Sequence, residues 1–388
     1  VRARLWRSST ASASRPALRA FMAASPRAER AAPTITGSMA PIDRPLVCIV
    51  TPALADANNG NWQTAQRWAR FLSGHYRVAL SKQWPDDSIP EKPAVLMALH
   101  ARRSAASIDA WSRADARAPL VVVLTGTDLY RDIAVDTDAQ RSLALATRLI
   151  VLQEQAPADV PAAWRDKCRV VFQSSTRRAT LPKTAAHLRA VAVGHLRDEK
   201  WPQTLFEAAR LLHPDEGIRI DHIGQALDPA LGELARATAA ACPHYRWLGG
   251  LPHGATRSRI QRAHLLIHPS RMEGGAHVIM EAALSGTPVL ASRIAGNVGM
   301  LGAGYGGYFP PGDAAALAAL LREARADIGS DAGLLCQLQA QCSARAPLFE
   351  PRAEQAAQIA THGQVQQEVL RPVERPAGGV AVVWVVVL

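Results

Sequence analysis

The sequence predicts an α/β protein built as two Rossmann-like domains facing a cleft, and three observations predict it. From Leu46 onward, short apolar runs alternate with stretches of helical spacing, the signature of parallel α/β layers. At 388 residues the chain exceeds the length one hydrophobic core usually spans, and its 48% hydrophobic content can fill two. A polar, basic stretch from Ser174 to His187, interrupted by Pro182, divides the apolar runs into two sets of six.

The elements follow in order. Residues 1–38 form a leader rich in Ala, Ser and Arg, in which seven arginines against Glu29 alone place +6 of the chain's net charge of +11. It has little apolar periodicity to bury and is expected to be disordered. Its composition resembles an organellar transit peptide. An over-extended start, with Met39 as the natural beginning, is the preferred reading. The +5 left for the remaining 350 residues is modest. Aromatic residues do not interleave with basic ones as a single-strand stacking platform requires, so nucleic acid is not an expected partner.

The first domain, 39–182, holds candidate strands Leu46–Thr51, Tyr76–Ser81, Ala94–Leu99, Leu120–Leu124, Arg148–Leu152 and Arg169–Phe172. Between the first two, Asn61–Leu72 has helical spacing, with Trp62, Ala65, Trp68, Ala69 and Leu72 on one face. The second domain, 183–345, holds Ala190–Val193, Ile218–Ile223, Tyr245–Leu248, His264–His268, Pro288–Ala291 and Gly307–Phe309. Residues 346–388 are expected to form a crossover helix and a tail. The apolar end of that tail, 380–388, falls far short of the roughly 18 residues that span a bilayer, so no membrane segment is expected. Five scattered cysteines without a C-x-x-C pair imply neither a disulfide framework nor a zinc site, and a reducing cytoplasm fits them.

The chemistry concentrates in EGGAHVIME, Glu273 to Glu281. Two carboxylates eight residues apart bracket a Gly-Gly step that opens an apolar helix, so they lie about two helical turns apart. Glycines at a helix start let free N–H groups approach a diphosphate or sugar. A carboxylate can accept paired bonds from vicinal hydroxyls. For an isolated glutamate pair, solvated surface residues are the commoner explanation. Here the context favours a sugar-nucleotide grip.

That context resembles the retaining glycosyltransferases of family 4, which have the GT-B fold. The resemblance rests on Glu273 and Glu281 themselves, on Glu281-Ala282, Gly286 and Pro288-Val289 after them, on Pro269-Ser270 before them, and on the strand Tyr245 to Gly249. Upstream, VGHLRDEK from Val193 to Lys200 is similar to the segment that holds the donor's diphosphate. The match runs from about Pro45 to Phe349. It implies that Glu281 holds the ribose hydroxyls, that Lys200 and Arg197 hold the diphosphate beside Gly194, and that Glu273 holds the sugar with the backbone of Gly274, Gly275, Ala276 and His277. His195 stands where the family has an arginine, which moves the phosphate charge onto Lys200 and Arg197. A UDP-sugar is then a substrate, and neither cofactor nor metal is expected.

The first domain should supply the acceptor side. Asn59, Gly60 and Asn61 open a helix after the first strand, and such a start offers N–H groups to an anion; an ordinary asparagine cap is the alternative. Thr125-Gly126-Thr127-Asp128 follows a Leu-Val-Val-Val-Leu run at the strand end, where open α/β sheets place ligands, so Thr125 and Asp128 are candidate contacts. Family members often have a histidine where Thr125 stands. His100 is either a cleft contact or a plain strand-end histidine, and His277 either faces the sugar or exits to solvent. Arg102 and Arg103 read best as a solvated turn. Asp136-Thr-Asp138 has the form of a metal motif, but an aspartate cap explains it more simply. No G-x-S-x-G elbow and no phosphate loop of the nucleotide triphosphatases is present.

A narrower resemblance joins Thr125 to Asp132, Glu273 to Ala276, Gly296 to Gly299 and Gly307 to Asp313. Together these look like the selenosugar synthases of selenoneine biosynthesis, which imply transfer from UDP-GlcNAc or UDP-glucose to selenophosphate. Two other readings stand beside it: a family 4 transferase with a lipid or polysaccharide hydroxyl acceptor, and a sugar-nucleotide-binding protein without catalysis.

Overall fold

The structure, a computed structural model, describes residues 44–52 and 60–370. The leader, Met39, Asn59 and the apolar tail lie outside the described residues. Six parallel strands form a first sheet: β1 (Leu46–Val50), β2 (Arg77–Ser81), β3 (Val95–Leu99), β4 (Leu120–Leu124), β5 (Arg148–Val151) and β6 (Cys168–Val170), ordered β2-β1-β3-β4-β5-β6. Six more form a second: β7 (Leu188–Val193), β8 (Ile218–Ile223), β9 (Tyr245–Trp247), β10 (Leu265–His268), β11 (Val289–Ser292) and β12 (Tyr308–Phe309), ordered β12-β11-β10-β7-β8-β9. Every residue of β1, β3 and β4 is buried. That is why these strands read as unbroken apolar runs rather than alternating ones: helices cover both faces of a parallel sheet.

Strand order reverses between β1 and β3 in the first sheet and between β7 and β10 in the second. Crevices beyond the carboxyl ends at such reversals are where open α/β sheets bind ligands. In the second sheet Gly194 follows β7 and His268 ends β10, so the reversal lies beside the Glu273 motif.

Ends of elements differ from the expected spans for local reasons. Tyr76 is not in β2, because its N–H still bonds to Leu72 O at 2.9 Å and closes the helix Gly60–Leu72. That helix buries Thr64, Ala65, Trp68 and Leu72, while Trp62 and Ala69, expected on the same face, are only partly buried. In the other direction β7 starts at Leu188, two residues early, with Arg189 opposite Arg219 of β8. A charged residue hid that start.

The stretch 174–187 crosses between the sheets without regular structure. It is held by Arg257, which is 2% exposed and donates to Ser175 Oγ at 2.6 Å and Thr176 O at 2.7 Å. The helix Pro351–Leu370 returns to the first sheet and packs on the helix Gly60–Leu72. Buried Glu354 accepts from Arg67 Nε at 2.8 Å and from Trp68 Nε1 at 2.5 Å, and Gln355 donates to Phe71 O at 3.1 Å. Among the described residues, no helix is long and apolar enough to cross a membrane.

Buried histidines give the fold a pH dependence of known sign. Burial pushes His222 and His362 each down to about 4. In the unfolded chain imidazoles protonate near pH 6.5. Between those values the unfolded state binds more protons, so stability should fall as pH is lowered from about 6.5 towards 4, by up to about 1.4 kcal/mol per pH unit per histidine. Urea midpoints measured from neutral to mildly acidic pH check this; a flat profile would contradict it.

Candidate active site

The site is built on the loop from His268 to the short helix His277–Ala283. Glu273, 9% exposed, lies in that loop, and Lys200 Nζ donates to its Oε1 at 2.5 Å. His268 Nε2 lies 3.2 Å from the same oxygen, near enough to act on its charge but outside hydrogen-bond alignment. Burial alone would raise the Glu273 carboxyl, yet the Lys200 ammonium and His268 together hold it well below the usual carboxylate range. It is therefore an anion throughout the physiological range. Lys200 ends a short turn, Asp198–Lys200, that is tied to the motif by Arg271 N donating to Glu199 O at 3.0 Å. Gly194 borders the Lys200 side chain, which a Cβ there would meet at 3.4 Å, an ordinary van der Waals contact.

Glu281 lies on the same short helix and is 5% exposed. Its Oε1 pairs with His253 Nε2 at 2.7 Å, and Arg257 Nη1 lies 3.8 Å away. Neither neighbour was foreseen, because both come from a helix, His253–Arg262, whose sequence carries no motif. Arg197, by contrast, is half-exposed and comes no nearer to an acid than Glu199, at 3.8 Å. His195 is exposed, and its Nδ1 accepts from Gln225 N at 3.1 Å.

His277, the first residue of the short helix, turns inward. Its Nε2 is buried without a partner among the described residues, and burial, reinforced by Arg67, His253 and Lys200, pushes it down to about 3. It stays neutral and does not exit to solvent. Ala276, 3% exposed, caps the helix with its backbone only.

Across the cleft, the first sheet supplies Thr125 to Asp128. Asp128, a candidate contact by sequence, is engaged by its own loop. It is fully buried and accepts from the N–H groups of Ala101 at 3.0 Å, Thr125 at 2.9 Å and Gly126 at 2.8 Å, so it shapes the loop. His100, 2% exposed, has φ of 74°, an uncommon left-handed conformation for a non-glycine residue. Its Nε2 lies 3.1 Å from Thr127 Oγ1 and its Nδ1 accepts from Arg103 N at 3.3 Å. Asp136 caps the helix Thr137–Leu145, accepting from Ala139 N at 2.9 Å, and pairs with Arg102 at 2.8 Å. Among the described residues no group of three His, Cys, Asp or Glu is placed to hold a metal. Gly60 and Asn61 open the helix Gly60–Leu72.

Gly274 and Gly275 have a use the sequence did not reveal. A Cβ at Gly274 would stand 2.4 Å from Thr125 O, and one at Gly275 would stand 2.8 Å from Leu152 Cβ. The two sheets' loops thus meet backbone to backbone at the motif. Arg131 of the first sheet's side also reaches Glu199, at 3.7 Å.

Residues 174–332, which carry the second sheet and the Glu273–Glu281 motif, match the family described as Glycosyl transferases group 1. No curated protein matches. Among solved structures, HepE of Anabaena in complex with UDP and glucose is 16% identical, with a TM-score of 0.61, over 84% of this chain and 99% of that chain. Sucrose-phosphate synthase of Thermosynechococcus elongatus is also 16% identical over the same shares, with a TM-score of 0.63. TarM of S. aureus, in a complex with UDP, is 12% identical with a TM-score of 0.54; the match covers 70% of this chain and 55% of that one. The fold is GT-B.

Proposed function

We propose that this chain is a glycosyltransferase that moves a sugar from UDP-GlcNAc or UDP-glucose to selenophosphate. The group 1 match over the second sheet supports the reaction class. The observation that carries the donor side is the Lys200–Glu273 pair at 2.5 Å, set where strand order reverses. A bound donor would draw the Lys200 ammonium onto its diphosphate and leave the Glu273 carboxylate to accept from sugar hydroxyls. Charge grows on the leaving diphosphate in the transition state, so a fixed cation there assists the chemistry directly. Glu281 would take the ribose hydroxyls by exchanging its bond to His253.

The acceptor side supports an already ionised nucleophile. A hydroxyl acceptor needs a base within hydrogen-bond reach. Thr125 provides none, Asp128 is bonded to backbone N–H groups, and both ring nitrogens of His100 are engaged. Selenophosphate needs no such base. Its selenium would attack the anomeric carbon while the bond to the β-phosphate oxygen breaks and UDP leaves with the electron pair. Hydrolysis of the Se–P bond then gives phosphate and a selenol sugar.

Mass spectrometry and UDP release test the proposal. The purified protein should consume its UDP-sugar only when selenophosphate is supplied, with no added divalent metal and no effect of chelator. Equal release with sugar alcohols or lipid acceptors, indifferent to selenophosphate, would overturn the acceptor and leave glycosyl transfer standing. UDP binding without turnover on any acceptor would leave only a binding protein.

The ribose contact makes a separate prediction. Glu281→Ala should weaken UDP binding by about 1.5–3 kcal/mol for each charged hydrogen bond lost. Calorimetry that finds UDP affinity unchanged removes Glu281 from the site.

A further inference from the structure

A cavity of about 450 Å³ lies away from the Glu273 motif, between strands β7, β8 and β9 and the helix His253–Arg262. Its charged lining is Arg189, Arg219, Arg246, Arg259 and Arg262 with Asp221 as the sole acid. Asp221, 5% exposed, is already taken: Arg246 Nε donates to its Oδ1 at 2.9 Å and Arg259 Nη1 to its Oδ2 at 2.7 Å. Arg189, Arg219 and Arg262 have no acidic partner among the described residues.

The sheet register sharpens this. Arg189 of β7 stands directly opposite Arg219 of β8, and Asp221 stands opposite Arg246 of β9, so alternate residues of three strands turn one charged face to the cavity. Like charges opposite one another on neighbouring strands are destabilising. A natural sheet that keeps such a pair unneutralised over a concave, open face is arranged for a counter-charge from outside the chain. Titratable groups register the same field: burial, then Arg219, Arg189 and Arg325, hold His187, itself in the lining, below its ordinary value, and burial with Arg189 pushes nearby Lys183 down to about 8.

We propose that this cavity is a second ligand site, separate from the Glu273 motif, for a small polyanion carrying more than one phosphate group. The volume falls in the range of small-molecule sites, roughly 300–1,000 Å³, and is generous for a single phosphate. Guanidinium groups are the side chains best matched to phosphate oxygens, by paired N–H donation. The apolar lining is confined to Val191 and Ala255, and the remaining lining residues, His187 and Ser258, are polar, so charge rather than apolar contact dominates the cavity. The ligand is recognised by its charge and its spacing of anionic groups, with Arg189 and Arg219 gripping one group and the Arg246–Arg259 fork around Asp221 facing another.

Titration calorimetry of the full chain with sodium pyrophosphate tests the site, with UDP present to occupy the other one. Arg219→Glu, on an exposed strand position, and Arg262→Ser, at an exposed helix end, should each lower pyrophosphate affinity, the first by about tenfold or more. UDP affinity, measured in parallel, should be unchanged in both, which also shows that the variants fold. Orthophosphate should bind more weakly than pyrophosphate. No pyrophosphate binding under these conditions, or equal binding by parent and Arg219→Glu, overturns the proposal. Co-sedimentation with vesicles containing phosphatidylinositol bisphosphate separates the two sources of clustered phosphate. Vesicle binding that is lost in Arg219→Glu, without binding of soluble pyrophosphate, would make this a headgroup surface and overturn a soluble ligand.

Discussion

Lys200→Ala is expected to lower turnover by about 10²–10³ while weakening UDP binding by no more than about tenfold. The inequality is the informative part. Lys200 stands against Glu273, so part of what it would give to a bound donor is offset by the ion pair it would leave. In the transition state the leaving diphosphate carries more charge than in the ground state, and the lysine's attraction rises accordingly. Steady-state rates with calorimetry on the same variant measure both quantities. An equal loss in turnover and in UDP affinity would mean that Lys200 contributes only uniform binding. The substitution also leaves the Glu273 carboxylate buried beside His268 without its cation. Lys200→Ala with Glu273→Gln should therefore recover stability but not rate.

Glu354→Ala should destabilise the fold by about 3–5 kcal/mol, as removal of one member of a buried ion pair does when the other stays behind. Glu354 is 1% exposed and serves two donors at once, the Arg67 guanidinium and the Trp68 indole. Without it the Arg67 charge and the Trp68 N–H remain in an interior that offers no replacement. Glu354→Gln keeps an acceptor for Trp68 and should cost less. Urea unfolding of the three proteins checks the order, and a loss below about 1 kcal/mol for alanine would show that water reaches the pair.

The sheet strands were legible because a buried parallel strand has no polar face to confuse it. Val47 to Val50 and Leu120 to Leu124 announce themselves. The start of β7 at Leu188 was not legible, since Arg189 looks like a loop residue until its cavity is known. In the candidate site, Glu273 and Glu281 stood out by their spacing and Lys200 by the family resemblance, whereas His253 and Arg257 come from a helix with no motif and Arg67 from a helix read only for its apolar face. His268 carried a signal that went unused: it is the last residue of a strand at a reversal of strand order. The bonds of Asp128 to its own loop were not legible, because side-chain chemistry alone does not say which backbone N–H groups a carboxylate meets. Backbone N–H groups, invisible in a sequence, decided that case.

The return of the helix Pro351–Leu370 onto the helix Gly60–Leu72 sets an order of events during synthesis. The first sheet is translated early, but the segment that satisfies Arg67 and Trp68 leaves the ribosome only after the whole second sheet. At about 5–20 residues per second, the interval from Val170 to Glu354 is roughly 10–40 s. A nascent chain stalled ahead of Pro351 should therefore bind a hydrophobic dye or a chaperone more strongly than the released chain, and equal binding would show that the first sheet matures without its last helix. Vectorial synthesis thus leaves the first half of the fold incomplete until the second half has been made.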